Sequence, residues 1–295
     1  MNICTWTGTT DGDPNKTTNW LEGDVPDDGD IVNIGKNPTG AADVSIGANL
    51  ASLVAITVAE LNIDAGYSGS IGTAAAYLQI GATVCRIGEA FGPGVKIHSP
   101  RIKIDFGAVQ TACTIHASRS SGTESDLPPI RLIGTHASNV LVVRGGNVGV
   151  ACESGEVATV ATLTAGADGA AIDPDVLVGS GVTLTTLNVS RGRVLAMCAA
   201  TTINQTGGTV TTERAGAVTT VTVTGNGLFI GNSTGTITTL NANGGTVDLL
   251  RSAAARTVST LNLLAGATLR YDPAVVTVTS KIVPAGRLVL SASAA

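Results

Sequence analysis

The sequence predicts an all-β chain, a parallel β-helix (β-solenoid) closed at its N-terminus by a small cap, and three observations carry that expectation. The first is a repeat in the C-terminal half: an aliphatic residue, often followed by Asn, then a Gly five residues on. It reads Leu187-Asn188 to Gly192, Ile203-Asn204 to Gly208, Leu240-Asn241 to Gly245 and Leu261-Asn262 to Gly266, with looser copies at Leu141 to Gly146 and Ile282 to Gly286. Successive glycines from Gly192 lie 16, 37, 21 and 20 residues apart, the longest interval holding an irregular copy at Val221 to Gly227. Each copy is therefore about one solenoid turn. The second is the filling between copies, as in Val218-Thr-Thr-Val-Thr-Val-Thr224, where β-branched residues at period two suit a half-buried strand. The third is composition: 43% hydrophobic but only 3% aromatic and 13% charged, so the core is built of Val, Ile, Leu and Ala.

Taken from the N-terminus, the chain divides into a module at residues 1–46 and a solenoid at residues 47–295. The module carries eight acids against two bases, and both tryptophans of the chain, Trp6 and Trp20. The first coil of a solenoid has an open apolar end and unpaired strand edges. Two large aromatics suit the task of covering it, so Trp6 and Trp20 are expected in the core of the cap; a sugar-stacking platform is their alternative use. Asp24, Asp27, Asp28 and Asp30 complete the candidate cap and docking set. Asp11 to Glu22 matches a calcium loop at several ligand positions, yet Lys16 stands where such a loop needs Gly and no helices flank it. No metal site is assigned.

In the solenoid, glycines punctuate turns, and about 12 coils would fit in residues 47–290. At roughly 4.8 Å per coil they make a rod near 60 Å long. Leu187, Ile203, Leu240, Leu261 and Ile282 are expected to point inward. Residues 181–295 carry three acids and eight bases, so the rod has an acidic and a basic end. The basic residues are spread thinly and aromatics for base stacking are scarce, which argues against a nucleic-acid partner. No run of 18 apolar residues crosses a membrane, and no signal peptide is visible. Five cysteines without pair spacing read as reduced, small core residues.

Within the N-terminal stretch, Trp6-Thr-Gly8, Asn19-Trp20, Gly23-Asp24-Val25-Pro26 and Gly29-Asp30-Ile31-Val32 form a W-x-G, N-W, G-x-x-P, G-D-x-V pattern. It resembles the leading segment of repetitive β-helical surface and bacteriophage virion proteins, and Leu61 to Gly72 is similar to the coil that follows it. The likeness covers residues 5–72 and is specific for architecture. It implies a cap that starts the solenoid and assembly as a homotrimer; with no export signal visible and no cysteine pair, the expectation is a virion protein made in the host cytoplasm rather than a surface adhesin. The expected partner is a major capsid protein or another virion protein.

Enzymatic β-helices exist, so catalytic groups have to be sought. Glycoside chemistry needs two carboxylates a few ångströms apart. After residue 181 the acids are Glu213, Asp248 and Asp272, too far apart in sequence to stack readily on adjacent coils. Asp173-Pro-Asp175, Glu153 to Glu156 and Glu124 to Asp126 read as solvated turns. Arg101-Ile-Lys103 has the look of a polygalacturonase tripeptide without its companions. His98, His116 and His136 are 18 and 20 residues apart, a spacing that would permit one face of successive coils, without a supporting ligand pattern. No catalytic residue and no cofactor is assigned. The expectation is a non-enzymatic capsid decoration, cement or knob protein that docks through its acidic N-terminal module. The alternatives are a tailspike or fibre that binds or cleaves host polysaccharide, and a bacterial surface adhesin.

Overall fold

The computed structural model describes residues 1–8, 12–35, 56–65, 67, 69–88, 101–116, 127–167, 172–264, 266–284 and 286–290. Within them the chain forms two sheets, one of 13 strands running from Ile3–Trp6 to Val276–Ile282 and one of 11 running from Leu78–Gln79 to Arg287–Leu290. From Thr57–Ile63 onward the strands alternate between the sheets, and each pairs in parallel with the strand one coil away, which makes the fold a parallel β-helix. The one helical element among the described residues is a 3-10 turn at Thr17–Asn19. No described helix is long and apolar enough to cross a membrane.

The repeat is explained by two adjacent columns along the first sheet. Its aliphatic residue stacks inward: Leu141, Leu163, Leu187, Ile203, Val221, Leu240 and Leu261 are register partners in succession. Leu187, Ile203, Leu240 and Leu261 are each 0% exposed. The next residue turns outward into a polar ladder, where Asn204 donates to Asn188 at 3.0 Å and Asn262 to Asn241 at 2.8 Å. At Gly192, Gly208 and Gly245 the chain turns left-handed where neighbouring coils crowd it. At Gly192 φ is +79° and a Cβ would lie 2.2 Å from the Pro174 carbonyl oxygen, so both backbone and space demand glycine.

Before the columns, four strands each bend where two threonines in succession face away from the core. Thr185-Thr186, Thr201-Thr202, Thr219-Thr220 and Thr238-Thr239 recur there, and register is kept on both sides of the bend. The second sheet supplies the opposing wall through Val176, Val194, Val210, Phe229 and Val247. Coil length is uneven: ladder partners are separated by 16 residues at Asn188 and Asn204, and by 29 at Asn33 and Asn62.

Ile282 departs from expectation. Lys281 pairs with Leu261, and Ile282 falls on the outward Asn262 position, 59% exposed. The reason is register: Lys281, not Ile282, stands five residues before Gly286, the interval kept by the other copies. The boundary expected between residues 46 and 47 lies outside the described residues. The strands flanking it, Ile31–Ile34 and Thr57–Ile63, are hydrogen-bonded neighbours in the first sheet.

Candidate functional site

The N-terminal end is built from the sequence pattern that flagged it. Trp6 and Trp20 are 2% and 4% exposed and meet edge-to-face, with ring centroids 5.1 Å apart at 75°. The Trp20 indole donates to the Pro14 carbonyl at 2.8 Å, while the Trp6 indole nitrogen is buried without a partner. Residues 19–22 fold back along the first strand and close its edge. Leu21 N–H donates to Thr5 O at 2.9 Å, Thr7 N–H to Asn19 O at 2.9 Å, and Thr5 N–H to the Glu22 carboxylate at 2.6 Å. Asp11 lies outside the described residues, and Glu22 and Asn19 of the calcium-like loop serve this closure instead, Asn19 donating to the Asp13 carbonyl at 2.8 Å.

The four candidate docking aspartates separate. Asp30 is buried, and its carboxylate accepts the Asn2 and Asp27 amides at 2.6 and 3.1 Å. Those hydrogen bonds, the Asn2 one foremost, hold it below the usual carboxylate range despite the opposing effect of burial. The same carboxylate faces the Cys4 thiol, which burial, aided by Asp30, pushes up to about 11. Asp28 is exposed but accepts the Thr57 amide at 2.7 Å, tying the cap to the next coil. Asp24 and Asp27 are exposed beside them. Trp6, Trp20 and Asp30 thus act inside the cap, leaving Asp24, Asp27 and Asp28 at its surface.

Along the rod, several carboxylates are held by bases. Lys103 and Arg131 are register partners on the outward side of the second sheet, yet are 1% and 3% exposed because loops cover them. Both reach Glu153 at 2.8 Å, and Lys103 also lies 4.5 Å over the Tyr77 ring. Burial opposes ionisation of Glu153, but the hydrogen bonds from Lys103 and Arg131 outweigh it and hold its carboxyl below the usual range. Arg101 donates to the Gly72 carbonyl, so both bases of the Arg101-Ile-Lys103 tripeptide brace neighbouring chain. Asp248 is shared by Arg251 and Arg270, Asp173 pairs with Arg191, and Glu60 with Arg86.

His98 lies outside the described residues. His116 follows the Ala112–Ile115 strand, which aligns with Val140–Val143, so its counterpart one coil on is Arg144; His136 sits in the turn before that strand. Among the described residues no three His, Cys, Asp or Glu side chains gather as a metal site. Cys85 and Cys113 are register partners on adjacent coils of the inner column, and hydrogen bonding between them and burial raise the Cys85 pKa. An apolar cavity of about 30 Å³ opens between Phe106, Leu132, Leu141 and Val160, room for one water-sized group.

The Val276–Ile282 and Arg287–Leu290 strands terminate the two sheets, each with a partner on one side only among the described residues. Ile282, Val283 and Leu290 are 59%, 36% and 55% exposed there. Lys281, also exposed, ends the inner column that begins at Cys4 and runs through Leu61, Cys85 and Leu163. The repeat interval carried this signal, since it points to Lys281. No family profile, curated protein or solved structure matches the chain.

Proposed function

We propose that the protein is a non-enzymatic structural component of a bacteriophage virion, a capsid decoration, cement or knob protein that projects as a homotrimeric β-helix. The observation that carries the reading is a rod of stacked parallel coils whose first strand is closed at its edge by residues 19–22 of the same chain. Such a rod suits attachment by a terminal face, with the remaining coils as a spacer. The resemblance of residues 5–72 to the leading segment of β-helical surface and virion proteins supports the capped-solenoid architecture that this reading needs. So does the use of Glu153, Asp248, Asp173 and Glu60, whose partners are bases and not second carboxylates placed for glycoside chemistry.

The test uses purified particles of the virus whose genome encodes the chain. The protein is expected among their components by mass spectrometry, and to bind capsids stripped of it. Sedimentation equilibrium should return a trimer, and purified protein should release no sugar from host capsule or lipopolysaccharide. Absence from particles would end the virion reading; release of sugars would favour a tailspike.

A further inference from the structure

Cys85 and Cys113 lie on Gly81–Ile87 and Ala112–Ile115, parallel neighbours in the first sheet, and the register sets one directly over the other. They are 0% and 4% exposed, and both thiols are free. Paired strands run about 4.8 Å apart, inside the range of about 4.4–6.8 Å between Cα atoms that a disulfide spans. The stacked Cβ atoms have to close by about 1 Å to reach the usual disulfide separation. Sulfur already faces sulfur, since a hydrogen bond joins the two thiols.

A second feature meets the same column. Leu141 follows Cys113 in register, so Cys113 stands between Cys85 and Leu141. The apolar cavity of about 30 Å³ is lined by Cys113 and Leu141, and its walls, drawn from Phe106 to Val160, lie on the side of Cys113 away from Cys85. Val140, 37% exposed, and the half-buried Thr159 belong to those walls, which brings the cavity close to the surface. A void of this size and polarity suits a small neutral molecule better than an ion. A reagent held there meets Cys113 on one side while Cys85 waits on the other, and displacement at sulfur needs entering and leaving groups on opposite sides.

We propose that Cys85 and Cys113 are a site of oxidative cross-linking, closed into a coil-to-coil disulfide by hydrogen peroxide entering through the cavity. In the first step the Cys113 sulfur bonds to one peroxide oxygen, the O–O bond breaks, and the departing hydroxide takes the thiol proton as water. Hydrogen bonding to Cys113, with burial, raises the Cys85 pKa, so Cys85 keeps its proton until the sulfenic acid has formed. In the second step the Cys85 sulfur bonds to the Cys113 sulfur, the S–O bond breaks, and the hydroxide leaves with the Cys85 proton as a second water. Two thiols are oxidised and one peroxide is reduced. The bridge joins residues 28 apart in sequence and so restricts the unfolded chain. It sets when the chain passes from a reducing to an oxidising medium, and it is independent of the virion reading.

The test treats the folded full chain with hydrogen peroxide, blocks remaining thiols with N-ethylmaleimide in denaturant, and maps the peptides by mass spectrometry. A Cys85–Cys113 linked peptide is expected, with a melting temperature raised by about 5 °C and restored by dithiothreitol. Oxidised glutathione, too bulky for the cavity, should form the bridge at least tenfold more slowly. In Cys85→Ala, dimedone should trap a sulfenic acid on Cys113, with no gain in melting temperature. Peroxide that oxidises the less buried Cys152 while Cys85 and Cys113 both stay free overturns the proposal, as does a bridge that forms only in denaturant. Equal rates with peroxide and oxidised glutathione, or no trapped Cys113 in Cys85→Ala, overturn entry through the cavity.

Discussion

Lys103 and Glu153 meet at 2.8 Å although the lysine is 1% exposed, on a sheet face that elsewhere in the rod looks outward. Glu153 is the acid that both Lys103 and Arg131 reach, so the arrangement is asymmetric: removing the acid strands two buried cations, removing one base leaves the pair Arg131–Glu153.

Glu153→Ala is accordingly expected to destabilise by about 3–5 kcal/mol, and Lys103→Met by clearly less. Urea denaturation of both variants measures the difference. Equal losses would show that the acid is not the centre of the cluster.

Acid should weaken the fold through Asp30 and Glu153. Both carboxyls are held below their ordinary values of 3.8 and 4.5 in the folded chain. On acidification the unfolded state therefore takes up protons first. The stability they contribute is complete above those ordinary values and is lost as pH falls through the lower folded ones. Melting temperature followed from pH 7 downward should fall less steeply in Asp30→Asn than in wild type below about pH 4; parallel curves would remove Asp30 from the acid response.

Trp20→Ala removes the edge partner of Trp6 and the bond to the Pro14 carbonyl. A loss of about 3–5 kcal/mol is expected, as for other buried aromatics. Amide exchange should accelerate at Thr5 and Thr7, whose partners lie on the segment that Trp20 anchors. If stability holds and only glycan binding disappears, Trp20 is a sugar platform and the cap account fails.

Two aliphatic positions from the same repeat should respond in opposite ways. Leu240→Ala cuts into a fully buried column and should cost about 2–5 kcal/mol. Ile282→Ala, at 59% exposure, should stay within about 0.5 kcal/mol. A large effect at Ile282 would mean that the last coil is one residue out of the register described.

The architecture was legible because a solenoid repeats its local chemistry: Leu240-Asn241 and Leu261-Asn262 announce both an inner column and an outer ladder. The cap tryptophans were legible for the same reason that they are buried, being the large aromatics of an otherwise aliphatic chain. What the sequence hid depends on coil length. Cys85 and Cys113 become neighbours only because the coil between them is long, whereas Leu187 and Ile203 are matched by a short one. Lys103, Arg131 and Glu153 converge across such long coils and through covering loops, so no spacing rule brings them together. Near-coil spacing suggests Ile282 for the inner column, where the interval of five residues to Gly286 selects Lys281.

The unequal coils make the rod a molecular ruler under load. Each coil bonds only to the coils next to it, so tension applied between the two ends peels strands off singly. The last described coil, with a partner on one side only among the described residues, is expected to yield first. A coil of 16 residues, as between Asn188 and Asn204, releases roughly 55 Å of chain, and one of 29, as between Asn33 and Asn62, roughly 100 Å. The sequence of extension steps would therefore read out the coil lengths in order, from the basic tip to the tryptophan-sealed base.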